Sequence, residues 1–78
     1  MSDSDIKILL SSDGSYDELT VEIFYKDQFV ALINRDGGIE NLKIEFPSKC
    51  VDENLISRTI DLNIFEKAIE LAKEKIKT

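Results

Sequence analysis

Leu19-Thr20-Val21-Glu22-Ile23-Phe24-Tyr25, then Lys26-Asp27, then Phe29-Val30-Ala31-Leu32-Ile33-Asn34 is the stretch that decides the fold. Its first half alternates. Leu19, Val21, Ile23 and Tyr25 fall on one face of an extended chain, and Thr20, Glu22 and Phe24 fall on the other. Its second half is almost wholly apolar. Lys26-Asp27 between them fits a two-residue turn, although it lacks the usual Gly. The stretch therefore reads as a β-hairpin, with Phe24 opposite Phe29, Ile23 opposite Val30 and Val21 opposite Leu32.

Working outward, Ile6, Ile8 and Leu10 alternate with Lys7, Leu9 and Ser11 and predict a strand before the hairpin. Asp13-Gly14-Ser15 supplies turn chemistry between the two. Downstream, Asp36-Gly37-Gly38 is a hairpin signal. It leads to a strand with Leu42, Ile44 and Phe46 on one face and Lys43 and Glu45 on the other. Pro47 has no amide hydrogen for a ladder and should end that strand. Ser48 to Ser57 reads as a surface connection, with a short fifth strand at Arg58-Thr59-Ile60 as an open alternative.

The C-terminal segment changes period. Phe65, Ile69, Ala72 and Ile76 form one helical stripe, which Leu62 and Ala68 widen. Asp61 is suited to the N-cap, its carboxylate facing the amides of Asn63 or Ile64. Ile60 and Phe65 occupy the staple positions on either side. Glu66 in the first turn and Lys73, Lys75 and Lys77 near the end match the helix dipole. The predicted fold class is α+β: an antiparallel β-meander of three to four strands with one C-terminal α-helix packed on a face. Residues 1–78 are read as a single domain.

Composition bounds function. The chain has 78 residues and a formal charge of −6. A domain this small buries about 60–65% of its unfolded surface, which leaves little apolar area to wall a deep active site. Residues 1–66 hold fourteen of the sixteen acids and six of the ten bases. Such a body repels nucleic acid and anionic membrane and attracts a basic macromolecule. There is no His, and Cys50 is the sole Cys, so an internal disulfide and a zinc site are both excluded. Cys50 is expected to be a reduced thiol. The N-terminus, Met1 to Asp5, is acidic and polar, unlike a secretory signal. No apolar run approaches the ~20 residues that span a bilayer. A cytoplasmic protein is expected.

Most constellations that suggest chemistry fail on physical grounds. Asp3 and Asp5, or Asp13 and Asp17, lack the ligand number and spacing of a calcium loop and read as solvated turn acids. Glu22 and Glu45 invite an acid–base reading, but each alternates with apolar residues as an outward strand charge does. Ser11, Ser12 and Ser57 have no His to activate them. Gly37-Gly38 lacks the Lys and the following helix of a phosphate loop. Glu66, Glu70 and Glu74 interleave with the helix lysines, which fits a surface helix with internal charge pairs and not a lipid anchor. Phe24, Tyr25 and Phe29 could stack on bases, yet Glu22, Asp27 and Glu45 surround them where phosphates would need cations.

One feature survives. With Val21, Ile23, Val30 and Leu32 under the helix, Phe24, Phe29, Ala31 and Ile33 fall on the opposite face beside Glu22 and Thr20. An apolar patch rimmed by acids fits a protein-binding surface. The alternative is that the N-terminal strand, the Pro47–Ser57 connection or a second copy covers it. A one-residue change in the loop would swap the faces of Phe29–Asn34.

The order of parts, from Glu22-Ile23-Phe24-Tyr25 through Phe29-Val30-Ala31-Leu32-Ile33 and Leu42-Lys43-Ile44-Glu45-Phe46-Pro47 to Asp61-Leu62-Asn63-Ile64-Phe65-Glu66-Lys67-Ala68, resembles small acidic bacterial immunity proteins. These are encoded beside polymorphic toxins of the contact-dependent growth inhibition and Rhs kinds. The likeness lies in architecture and character over residues 19–77. It implies a non-catalytic antitoxin that binds one cognate toxin domain, often a nuclease, and blocks its active site or its substrate path. No family residue transfers, because no motif fixes the match. The residues themselves nominate Phe24, Tyr25 and Phe29 as desolvated anchors, with Glu22, Asp27, Asp36, Glu40 and Glu45 as a steering rim. No cofactor or metal is implied, and neither nucleic acid nor membrane is expected as a partner. A nucleic-acid-mimicking inhibitor and a homodimer through the second sheet face remain open beside the toxin inhibitor; an enzyme is disfavoured.

Overall fold

The computed structural model describes residues 5–12, 14, 16–47 and 52–77. Its elements run β1 (Ile6–Ser11), β2 (Thr20–Tyr25), β3 (Gln28–Asn34), β4 (Lys43–Glu45) and α1 (Leu62–Ile76). The strands form one antiparallel sheet in the order β1-β2-β3-β4, with α1 against one face. The α+β meander expected from the alternation is therefore present. The turn signals at Asp13 and Ser15, and Cys50 with Lys49 beside it, lie outside the described residues.

Lys26 and Asp27 both adopt positive φ, 50° and 66°. That is the left-handed pair of a type I′ turn, whose twist suits a two-residue hairpin even without Gly. Phe24 pairs with Phe29 as expected. The ladder then slips: Ile23 pairs with Ala31 and Val21 with Ile33, so Val30 is an extra residue in a β-bulge. A bulge keeps Val30 on the helix side while it reverses the faces beyond it. The core is consequently Val21, Ile23, Val30, Ala31 and Ile33 with Ala68, Ala72 and Ile76. Leu32, expected beneath the helix, lies on the outer face opposite Glu22 and Glu45. Ala31 and Ile33, expected on the outer face, are in the core.

Of two further expectations, the hairpin at Asp36-Gly37-Gly38 is present and the strand at Arg58–Ile60 is corrected. Asp36 and Gly37 do form a turn, closed by the Gly38 amide on the Arg35 carbonyl at 2.8 Å. Gly38 has φ 97°, a conformation that favours glycine. The chain does not return at once, however; it makes a 3-10 turn over Ile39–Asn41 before β4. The pairing after β4 is not at Arg58–Ile60. It is a parallel bridge from Ile56 to Phe29, with the Ser57 amide donating to the Phe29 carbonyl at 2.9 Å.

On α1 the buried stripe is Ile64, Ala68, Ala72 and Ile76, flanked by half-buried Phe65 and Ile69. Leu62, assigned to that stripe, is 70% exposed. Asp61 takes the N-cap position, but its carboxylate makes no capping bond. The Phe65 amide instead bonds the Asp61 carbonyl at 2.9 Å, and Ile60 and Phe65 both pack on the core, as a staple would. Glu66 lies beyond the first turn, which holds no acid. At the other end Arg35 donates to the Ile76 carbonyl at 2.9 Å. This places a cation on the negative end of the helix dipole.

Candidate functional site

The register sorts the nominated residues into separate places. Glu22, Phe24, Phe29 and Glu45 share the outer face of the sheet. Phe24 and Phe29 are half-buried there and meet edge-to-face, with centroids 5.6 Å apart. Tyr25 does not join them. It sits on the helix side, half-buried against the core, with the Lys26 ammonium 5.4 Å over its ring. Asp27 lies in the hairpin turn and pairs with Lys7 at 3.7 Å. Asp36 and Glu40 are at the far end of β3, about 20 Å from that turn, the length of a seven-residue strand.

These acids are differently engaged. The Asp36 carboxylate accepts from the Glu18 amide at 3.0 Å and the Asp17 amide at 3.3 Å. It thereby fastens the β1–β2 connection to the end of β3. Arg35, beside it, lies 3.4 Å from Glu18. Glu45 accepts from the Tyr16 hydroxyl at 2.8 Å and from the Asn34 amide group. Glu40 is exposed on the 3-10 turn. Glu22 and Glu45 stand on either side of Leu32. Two strand spacings, ~10 Å, separate their backbones, so they do not face each other as an acid–base pair across adjacent strands.

Part of the outer apolar surface is covered. Leu32 is 9% exposed and Ile56, delivered by the bridge to Phe29, is 3% exposed. Ile56 and Ser57, the end of the Pro47–Ser57 connection, thus seal one end of the patch. Leu9, on the outer face opposite Glu22, is still 42% exposed. What remains open is Leu9 and the accessible half of the Phe24–Phe29 pair, beside Glu22.

A second apolar surface, not foreseen as a site, lies on the helix side. α1 packs over β1 and β2, touches β3 little and β4 less still. A groove of about 340 Å³ results, with Leu42, Ile44, Phe46, Phe65 and Ile69 as its main apolar walls and Lys43 and Lys73 also lining it. Phe46 is 64% exposed and Ile44 37%. Its signal was present in the sequence. One helix is ~10 Å across and four strands span ~15 Å, so one edge strand had to be left uncovered.

Among the described residues no group of His, Cys, Asp and Glu could hold a metal ion, and no helix is long and apolar enough to cross a membrane. Comparison with protein-family models, with curated proteins and with solved structures found no match to this chain.

Proposed function

We propose that this chain is a non-catalytic binding protein, most concretely an immunity protein that neutralises a basic toxin domain in the bacterial cytoplasm. The observation that carries this reading is the open part of the outer sheet face. There a partly buried aromatic pair and the exposed Leu9 lie beside Glu22, on a chain of net charge −6. Aromatic rings that are already ordered lose little entropy on binding, and carboxylates on the face steer a cationic partner, while Lys7, across from Phe24, is paired with Asp27. Phe24 and Phe29 are the anchors. Glu22 and Glu45 supply charge on the face itself, and Asp36 and Glu40 extend the negative field beyond its end. Tyr25 takes no direct part in this contact, because it points to the helix side.

The test is coexpression with the toxin domain encoded beside its gene, followed by measurement of binding at low and at ~0.3 M salt. Protection of the cells, with affinity that falls as salt rises and with Phe24→Ala or Glu22→Lys, is the expected result. A chain that neither protects nor binds, or that binds equally at both salt levels, refutes the proposal.

A further inference from the structure

We infer that two copies of this chain join edge to edge along β4, as an antiparallel pair centred on Ile44. β4 is a sheet edge, and among the described residues no strand pairs with its outer side. The helix leaves part of its apolar side open: Ile44 and Phe46 are 37% and 64% exposed, while Leu42 packs against the core. An open edge with an apolar flank is a template for another strand.

The sequence around this edge specifies a second copy as that strand. Leu42-Lys43-Ile44-Glu45-Phe46 is complementary to itself when reversed about its centre. A two-fold axis through Ile44 sets Ile44 against Ile44 of the other copy, Leu42 against Phe46 and Lys43 against Glu45. In such a two-fold interface the Leu42–Phe46 and Lys43–Glu45 contacts each occur twice, and the Ile44–Ile44 contact, on the axis, occurs once. Directly opposed residues share a face. The apolar pairs therefore lie together on the helix side, beside the groove walled by Phe65 and Ile69. The charged pairs lie on the outer face, where Lys43 and Glu45 already stand opposite Asn34 and Leu32.

Neighbouring registers are penalised. Sliding the pair by two residues either way keeps the faces but opposes Lys43 to Lys43, or Glu45 to Glu45, and like charges directly opposite each other repel. A one-residue slip would set apolar against charged groups. Short edge strands bearing charge also guard proteins against pairing, and that role predicts a monomer at every concentration. Phe24 and Phe29 do not enter this contact, although Glu45 on the same face does.

Sedimentation of the purified full chain over a concentration series decides between the two roles. The expected result is a mass that rises with concentration to that of two chains. Lys43→Glu should weaken the association roughly tenfold, because both charged pairs become repulsive. Phe46→Asp should weaken it at least as much, and the exposure of Phe46 means that the monomer tolerates the change. Glu45→Lys should also weaken self-association, whereas an equal mixture of Lys43→Glu and Glu45→Lys should recover it, since both pairs are then opposite in sign. Glu45→Lys loses bonds to Tyr16 and Asn34, so circular dichroism must first show that it folds; if it does not, Lys43→Glu and Phe46→Asp decide alone. A wild-type monomer throughout overturns the inference. So does either of those two variants dimerising as tightly as the wild type, or a mixture of folded variants that fails to recover.

Discussion

The β2–β3 hairpin turns in two residues and carries six cross-strand pairs, whereas the β3–β4 hairpin takes a 3-10 turn to come back and carries three. Both use alternating apolar side chains, Val21 and Ile23 in one and Leu42, Ile44 and Phe46 in the other. Val21 and Ile23 are completely buried; Ile44 and Phe46 are exposed. Hydrophobicity does not separate the two regions. Coverage does, because β2 has a strand on each side and the helix above it, and β4 has one neighbour strand and lies at the margin of the helix. Stability is thereby concentrated in one hairpin, while surface for contact is concentrated in the other and on the outer face behind the first.

The largest effect tests that division directly. Ile23→Ala should cost about 3 kcal/mol, because a fully buried side chain leaves a cavity that its neighbours fill only in part. Ile44→Ala, at a site 37% exposed, should cost under ~1 kcal/mol. Thermal unfolding measures both; a domain of this size should lose well over ~10 °C with the first change and a few degrees with the second. Equal losses would break the comparison.

Asn34 sits between the regions. It is 6% exposed; its amide donates to Glu45 of β4, and its carbonyl oxygen accepts from the Asp36 amide at 3.3 Å. Asn34→Ala should cost about 1 kcal/mol, since the partners it abandons can turn to water. The loss should be uneven. Hydrogen exchange should quicken at Lys43–Glu45 and barely change at Ile23, and uniform loss of protection would show that the hairpins do not open separately.

A gain is expected at the tighter turn. Lys26 and Asp27 hold left-handed backbone that side chains other than Asn, Asp and Gly resist. Replacing the pair by Asn-Gly should stabilise the chain by ~0.5–1 kcal/mol in denaturant unfolding. No gain would mean that other contacts near the turn, such as the Lys26 amide on the Asp5 carbonyl or Lys7 on Asp27, already compensate.

The alternation in Thr20–Tyr25 and the helical period after Asp61 made the fold class legible, and the two-residue turn fixed Phe24 opposite Phe29. What could not be read was the bulge at Val30. In an almost unbroken apolar run, from Phe29 to Ile33, neither face is marked by a polar residue, so periodicity cannot say which residue is supernumerary. Both possible sets of facing residues are apolar, and packing against Ala68 and Ala72 makes the choice. The same ambiguity misplaced Ala31, Leu32 and Ile33 and enlarged the expected outer patch. Leu62 failed for a different reason. It matches the helical stripe by type but lies at the first turn, where Ile64 faces the sheet instead. Ile56 carried no pattern at all, because one bridge residue has no period.

The finest division concerns what holds the segment after β4. It depends on polar contacts at the surface: Arg58 meets Glu53 through two bonds, of 3.0 and 2.7 Å, and donates to the Pro47 carbonyl at 3.2 Å. The hydrogen bonds from Arg58 are the main cause that holds the Glu53 carboxyl below its ordinary value of 4.5; desolvation opposes them, and the charge of Arg58 adds to the lowering. A carboxyl with a lowered value in the folded state binds its proton more readily when unfolded. Its contribution is therefore complete above 4.5 and fades as pH falls through the lowered folded value. The pair is exposed, so the effect is small and local. Amide shifts of Ile56 and Ser57 should move with acid below pH 4.5, those of Ile23 and Ala31 should not, and Glu53→Gln should remove the difference. Core and connection titrating together would mean that the two hairpins are one cooperative unit, and the contrast in their coverage would then be a contrast in surface alone.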